Sequence, residues 1–162
     1  INDNPRCASF PVDYTNKVAV ASANDRLMSI NNAVEVDIYG QICSESSGTR
    51  QISGTGGQLD FVLAAYESRG GKSFVCLPST NKKPDGTLAS CIVPTLKTGA
   101  IVTDSRTVGH YIVTEHGIFN SKGKTTWQKA EGIISLAHPD FRDDLIRAAQ
   151  DQKIWSRYNK QF

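Results

Sequence analysis

The chain has 162 residues, 39% of them hydrophobic and 21% charged, so it is long enough to bury the core of a single globular domain. Its 18 basic and 16 acidic side chains are scattered along the sequence, which argues against the concentrated basic face of a nucleic-acid-binding protein. No apolar stretch approaches the roughly 18 residues of a membrane-spanning helix, so no membrane partner is expected.

The cysteines and histidines are spread too widely to predict a metal site. The four cysteines contain no C-x-x-C pair, and two of them lie in apolar runs, where a free thiol behaves as a small hydrophobic group. Free thiols are typical of a reducing compartment, so we expect a cytoplasmic protein. Because the candidate ligands are not clustered, we expect no permanently bound metal, and no permanently bound cofactor is expected either. The residues concerned are Cys7, Cys43, Cys76, Cys91, His110, His116 and His138.

Residues 1–26 are polar and rich in turn-forming residues, so we expect them to be a leading segment or linker from a missing N-terminal domain. Such a segment is expected to be poorly ordered or to pack on a neighbour, and Ile1 fits a fragment of a longer protein. Residues 27–162 then form the globular domain. Alternating apolar positions predict strands at 27–30 and 34–39, and Gly40 breaks the pattern before a return strand at 41–43.

The clearest helix follows a glycine-rich loop. Four apolar residues recur there at the spacing of one helical face, and two glycines end the pattern: Leu59, Val62, Leu63, Tyr66, Gly70 and Gly71. Further short strands are predicted at 73–77, 92–94, 100–103 and 111–114.

Two more helices are predicted near the C-terminus, the second beginning near Pro139-Asp140, where proline and an acidic residue both favour a helix start. Strands separated by helices predict an α/β fold with a mostly parallel sheet and packed helices. The apolar faces of the two helices consist of Trp127, Ala130, Ile133, Ile134 and Ala137, and of Phe141, Leu145, Ala148 and Trp155.

The loop at residues 53–57, with the sequence SGTGG, is the main candidate for a ligand site. Glycines allow positive φ angles and remove Cβ atoms, so backbone N–H groups can approach a ligand closely. The loop runs directly into the predicted helix, whose first N–H groups suit a carboxylate, a carbonyl oxygen that becomes negative, or a phosphate. A tight turn without a ligand is the alternative, and the spacing matches neither the P-loop nor G-x-G-x-x-G.

A succession of motifs surrounds this loop over nearly the whole chain. They are PVDYTN (11–16), SINNAVEVD (29–37), RQISGTGGQLDFV (50–62), GGKS (70–73), IVP (92–94), TDSR (103–106), VTEHGI (113–118) and AHPDFR (137–142). In this order they closely resemble the C-terminal domain of the acetyl-CoA hydrolase/transferase family, which includes CoA transferases acting on acetate, butyrate and 4-hydroxybutyrate. The resemblance implies a CoA-transferase (NagB/RpiA-like) domain from a two-domain enzyme.

In that family a glutamate attacks the acyl-CoA and, through an anhydride, becomes a glutamyl-CoA thioester, from which a second carboxylate collects the CoA. The resemblance places this glutamate upstream of residues 11–16, so no residue of this chain is assigned as catalytic. The implied partners are an acyl-CoA, a short-chain carboxylate and the missing N-terminal domain, with coenzyme A as substrate, and a homodimer is compatible with the family. Acetyl-CoA hydrolysis and a non-catalytic CoA- or anion-binding module are the alternatives.

The resemblance carries over a few residues as the CoA pocket wall. Gly54, Gly56 and Gly57 are expected to form the oxyanion and substrate loop. The resemblance also carries over Gly57 and, through its backbone, Val34 as CoA contacts. Asn31 is added because it lies close to Val34, and Ser79 and Thr80 are added because they follow a predicted strand.

Other polar residues are assigned mainly structural roles. For the pair Glu115 and His116 a structural role is favoured over acid–base catalysis. His138 is expected to shape a helix start. Arg106 and Arg142 are candidates for CoA phosphate contacts, although exposed or ion-paired arginines are more common.

Overall fold

The computed structural model describes residues 2–155. Its helices are α1 (Val12–Thr15), α2 (Val18–Ser22), α3 (Gln58–Glu67), α4 (Thr126–Ser135) and α5 (Pro139–Asp151). Its strands are β1 (Met28–Asn32), β2 (Glu35–Asp37), β3 (Ile42–Cys43), β4 (Ser46–Ser47), β5 (Arg50–Gln51), β6 (Lys72–Cys76), β7 (Thr80–Lys82), β8 (Leu88–Ser90), β9 (Ile92–Val93), β10 (Tyr111–Thr114) and β11 (Gly117–Asn120).

A four-stranded sheet with the order β1-β6-β10-β11 forms the centre of the fold. Strands β1, β6 and β10 run parallel, and β11 pairs antiparallel with β10. A second sheet, β3-β2-β9, lies beside it, and β4–β5 and β7–β8 are separate antiparallel pairs. The predicted α/β fold with a mostly parallel sheet is therefore confirmed.

The helix predicted from the periodicity is present as α3, and it packs against β1 and β6. Its buried residues are Val62, Ala64 and Ala65, whereas Leu59 is 38% exposed. The buried face is therefore shifted from the predicted one, because Ala64 and Ala65 are fully buried whereas the predicted Leu63 and Tyr66 are only half-buried. Within residues 2–26, α2 contacts α3 and buries Ala21, whereas residues 2–15 are exposed throughout.

The two C-terminal helices begin at well-formed caps. Thr125 and Gln128 form a capping box at α4, and the His138 ring nitrogen accepts a hydrogen bond from the Asp140 backbone N–H at 3.3 Å. The expected structural role of His138 at a helix start is thus observed. Trp127 is 45% exposed, so its predicted place on the core face was wrong, whereas Trp155 is buried. The core joins both helices to both sheets through Val36, Ile38, Ile42, Val75, Ile92, Ile112, Ile133 and Leu145.

One strand prediction is wrong, and one strand of the central sheet was not predicted. Residues 100–103 form no strand, because the segment pairs only through an isolated bridge between Ile42 and the following Asp104, and Ile101 and Val102 are 38% and 43% exposed. Strand β11 was not predicted. It forms a tight hairpin with β10, in which Thr114 pairs with Gly117 at a φ angle of 145°.

Candidate functional site

The carboxyl ends of the parallel strands β1, β6 and β10 meet at one edge of the central sheet. Ligands of open parallel α/β sheets bind characteristically outside this edge. A cavity of about 340 Å³ lies there. Its lining consists of Asn32, Ala33, Cys76, Leu77, Pro78, Val113, Thr114 and Glu115.

Glu115 brings a fixed negative charge to this cavity. The buried Ser79 donates two hydrogen bonds to its carboxylate, from the hydroxyl to Oε1 at 2.5 Å and from the backbone N–H to Oε2 at 2.9 Å. These bonds hold the pKa of Glu115 below its ordinary value. The Glu115 side chain is nevertheless 52% exposed, so the carboxylate is both ionised and accessible from solvent.

The glycine loop precedes the first turn of α3 and is exposed from residue 50 to residue 56. None of Gly54, Gly56 and Gly57 has a positive φ angle, so the loop does not use the left-handed backbone that glycine allows. A Cβ atom on Gly54 or Gly56 would meet no described atom within 4 Å. At Gly57 it would lie 2.5 Å from Asn16 Nδ2, so this glycine permits close contact with the segment after α1.

Glu45 fastens the glycine loop to the body of the domain. Its backbone carbonyl accepts hydrogen bonds from the N–H groups of Ile52 at 2.7 Å and Ser53 at 3.1 Å. Its carboxylate accepts from the hydroxyls of Thr55 and Thr103, both at 2.8 Å. Glu45 is only 6% exposed, so these bonds form where water competes little.

A second buried acid fixes the start of α3. The Gln58 amide donates to Asp104 Oδ2 at 2.7 Å and to the Ser44 hydroxyl at 2.8 Å. The Ser44 hydroxyl in turn donates to the Asn32 carbonyl at 3.1 Å, so two hydrogen bonds connect the helix start with the cavity edge. Burial raises the pKa of Asp104, and its Oδ1 has no hydrogen-bond partner among residues 2–155.

Comparison with known proteins assigns the chain to a family. Residues 1–149 match the family described as the acetyl-CoA hydrolase/transferase C-terminal domain. The chain belongs to this family.

Curated relatives and solved structures agree with this assignment. The chain is 60% identical to the butyryl-CoA:acetate CoA-transferase of Anaerostipes caccae over 99% of its own length and 36% of that protein. It is 56% identical, with the same coverages, to a probable butyrate:acetyl-CoA coenzyme A-transferase of Syntrophomonas wolfei. The crystal structure of RipA from Yersinia pestis superposes with a TM-score of 0.85 at 44% identity, covering 95% of this chain and 34% of that one.

The chain therefore spans about a third of the length of these acetyl-CoA hydrolase/transferase relatives. The recognition made from the motifs is confirmed by the family match. No helix among residues 2–155 is long and apolar enough to cross a membrane, and these residues contain no cluster of three metal-ligating side chains.

The predicted CoA contacts of this acetyl-CoA hydrolase/transferase domain occupy different environments. The Val34 N–H donates to the Cys43 carbonyl at 2.8 Å, so a ligand contact through the Val34 backbone would have to use its carbonyl. Asn31 donates to Ser29 at 2.8 Å, while its neighbour Asn32 lines the cavity. Ser79 is buried behind Glu115, and Thr80 begins β7. Their role in CoA binding stays a prediction.

The two arginines differ in environment. The Arg142 guanidinium donates to the Ala137 carbonyl at 2.9 Å, which ties it to the turn between α4 and α5. Arg106 accepts a hydrogen bond from Lys129 through its backbone carbonyl. The structure does not bring either guanidinium into the cavity lining.

Sequence reasoning missed Glu45 and Asp104 as supports of the loop and Asn32 as a cavity residue. A usable signal was present for Glu45, because an acidic residue in an otherwise uncharged, serine-rich stretch needs partners when it is buried. The identity of those partners was not visible, since they lie 10 to 58 residues away along the chain.

Proposed function

We propose that this chain is the C-terminal part of a CoA transferase that moves CoA between an acyl-CoA and a short-chain carboxylate such as acetate or butyrate. The proposal rests on the activities of the relatives and on one structural observation. Two successive hydrogen bonds connect the helix start after the exposed glycine loop with a cavity at the carboxyl edge of the sheet.

The chemistry assigned to the family proceeds through a glutamate outside this chain. Its carboxylate attacks the acyl carbonyl and expels the CoA thiolate, which leaves an acyl-glutamyl anhydride. The thiolate then attacks the glutamyl carbonyl, which releases the acyl group as a carboxylate and forms a glutamyl-CoA thioester. The acceptor acid repeats these steps in reverse and regenerates the glutamate.

Within this scheme, residues of the present chain hold the ligand and stabilise charge. Each step places negative charge on a former carbonyl oxygen, and preorganised backbone N–H groups stabilise such charge strongly. Residues 54–57 of the loop and the first turn of α3 supply donors of this kind, whereas the Ser53 N–H is already bonded to the Glu45 carbonyl. The contacts of Glu45 and Gln58 keep these donors in place before a ligand arrives.

The carboxylate of Glu115 is assigned an ordering role at the cavity mouth. Because its charge is fixed by Ser79, it repels a second carboxylate that enters close to it and attracts polar donors of a ligand. We infer that it orients the substrate and does not act as the nucleophile.

The test is an assay of the longer enzyme with acetyl-CoA, with and without butyrate. A transferase forms butyryl-CoA and releases little free CoA, whereas a hydrolase releases free CoA at the same rate in both mixtures. The family includes hydrolases by its description, so this second result would support the alternative. CoA binding without turnover by the longer enzyme would instead support a non-catalytic binding module.

Two further points stay predictions. All four cysteines are unpaired, which supports a reducing compartment such as the cytoplasm. Fractionation of cells that express the tagged longer enzyme checks this. A homodimer is expected from the family resemblance, and light scattering of the longer enzyme checks its mass in solution.

A further inference from the structure

One face of the four-stranded sheet is covered and the other is bare. On the covered face, positions from three strands are buried, including Ser29, Ser73, Val75 and Ile112. Helix α4 lies on this side, because a Cβ on its Gly132 would overlap the ring of Phe119, which is in register with Ile112.

The opposite face carries apolar side chains that no described helix buries. Ile30 is 71% exposed, Ile118 is 64% exposed and Met28 is 49% exposed. Between them lie Phe74 and Tyr111, whose rings stack with centroids 5.1 Å apart. We call this surface the bare sheet face; in strand register its apolar residues are Met28, Ile30, Phe74, Tyr111, Val113 and Ile118, and the polar Lys72 and Asn120 lie on the same side.

A mostly parallel sheet with one bare apolar face is incomplete, since parallel sheets occur almost only with both faces covered. Contiguous exposed apolar surface of this kind also marks an interface. Strand β1 is a second indication that the sheet is incomplete, because it lies at the end of the strand order and pairs only with β6 among residues 2–155.

Topology indicates where the missing cover comes from. Crossovers between parallel strands are right-handed, so strands added in one direction place their helices on one face. The chain adds β6 and then β10 in one direction from β1, and α3 connects β1 to β6. Helices on the bare sheet face therefore require parallel strands added past β1 in the opposite direction.

Such strands are to be sought before β1 in the sequence. Residues 33–155 already form the described elements that follow β1, and the family match identifies this chain with a C-terminal domain. The relatives are almost three times as long as the segment they share with this chain.

We propose that the bare sheet face is the docking surface for the preceding part of the same polypeptide, which continues the sheet past β1 and covers this face with helices. The cavity then lies beside the strand at which the order reverses, where doubly wound sheets bind their ligands. The inference shares with the proposed function only the premise of a longer enzyme, and its test does not depend on activity.

The first experiment is hydroxyl-radical footprinting of the unmodified longer enzyme. Burial of more than 95% of each side chain should lower the oxidation of Met28 and Ile30 by about tenfold relative to the exposure seen here. Leu88, which is 49% exposed on the β7–β8 pair, is the matched control and should be oxidised freely. Oxidation of Met28 at the rate expected for its exposure would overturn the proposal.

The second experiment identifies the occupant. Lys72 pairs with Met28 in register and is exposed, so an amine-reactive crosslinker can report what lies beside the bare sheet face. A mixture of ¹⁵N-labelled and unlabelled longer enzyme distinguishes links within one molecule from links between two. We expect links from Lys72 to lysines that precede this chain in the same molecule. If half of the Lys72 links in an equal mixture join a labelled to an unlabelled copy, as random pairing of copies requires, a second copy covers the face and the proposal is contradicted.

Discussion

Replacing Gly56 by alanine is expected to raise stability and lower activity at the same time. A methyl group at this position meets no described atom within 4 Å, and the φ angle does not require glycine. Such a change stabilises a protein by about 0.4–1 kcal/mol, because the unfolded chain loses conformational freedom. For a protein of this size the melting temperature should rise by about 1–4 °C.

The activity should change in the opposite direction, because the same methyl group would occupy the space in which the ligand approaches the loop. Loss of one backbone donor to an oxyanion lowers kcat by about 10²–10³-fold, and we expect kcat/KM of the longer enzyme to fall by about 10²-fold. Urea unfolding followed by circular dichroism and a butyryl-CoA formation assay measure the two effects.

Gly109→Ala is the matched control. Its new Cβ would lie 3.7 Å from Ile42 Cδ1, an ordinary contact, and the residue is outside the loop. This variant should keep its activity. If Gly56→Ala keeps full activity, no ligand approaches the loop closely. If it loses stability, the loop geometry described here is wrong.

Three further predictions concern supports of the fold and the loop. Glu45→Gln should cost about 1–2 kcal/mol in urea unfolding and lower activity, because the neutral amide keeps an acceptor oxygen for only one of the two threonine hydroxyls and turns an NH2 donor toward the other. Glu67→Gln, at an exposed helix end, is the control, and equal losses in both variants would argue against a special role for Glu45. Gly132→Ala should lower the free energy of unfolding by about 1–3 kcal/mol, because the methyl group overlaps Phe119. Adding Phe119→Leu should recover part of that loss. Strict additivity of the two changes would contradict the contact. Burial, with Lys122 and Lys72 nearby, lowers the pKa of His110 from its ordinary value of 6.5. The unfolded chain therefore binds the proton more readily than the folded one. The stability that is present above pH 6.5 should be lost as the pH falls below 6.5. His110→Gln should weaken this loss between pH 7 and 5, and an unchanged slope would show that His110 is not its source.

The sequence predicted those elements whose signal is local. Helix α3 follows from the spacing of Val62 and its neighbours, and β6 and β10 follow from short apolar runs that end at proline or at a turn. Strand β11 could not be found in this way, because Gly117 and Asn120 weaken its pattern and its stability comes from pairing with β10.

The candidate site was predictable in part for the same reason. Its glycine loop is a local feature, and the surrounding motifs led to the correct family. The supporting contacts are not local, since Gln58 reaches Asp104 across 46 residues and Thr103 reaches Glu45 across 58. A single sequence does not report such pairs, so the buried acids that hold the loop emerged only from the structure.

The most direct test of the account is to locate the covalent intermediate. The longer enzyme would be incubated with acyl-CoA alone, treated with borohydride to reduce the glutamyl-CoA thioester to an alcohol, and digested for peptide mass spectrometry. We predict that the reduced glutamate lies in the polypeptide that precedes this chain, and that Glu45 and Glu115 remain unmodified. A reduced glutamate at either of these positions would place the nucleophile inside this chain and contradict the assignment of the chain to the pocket wall.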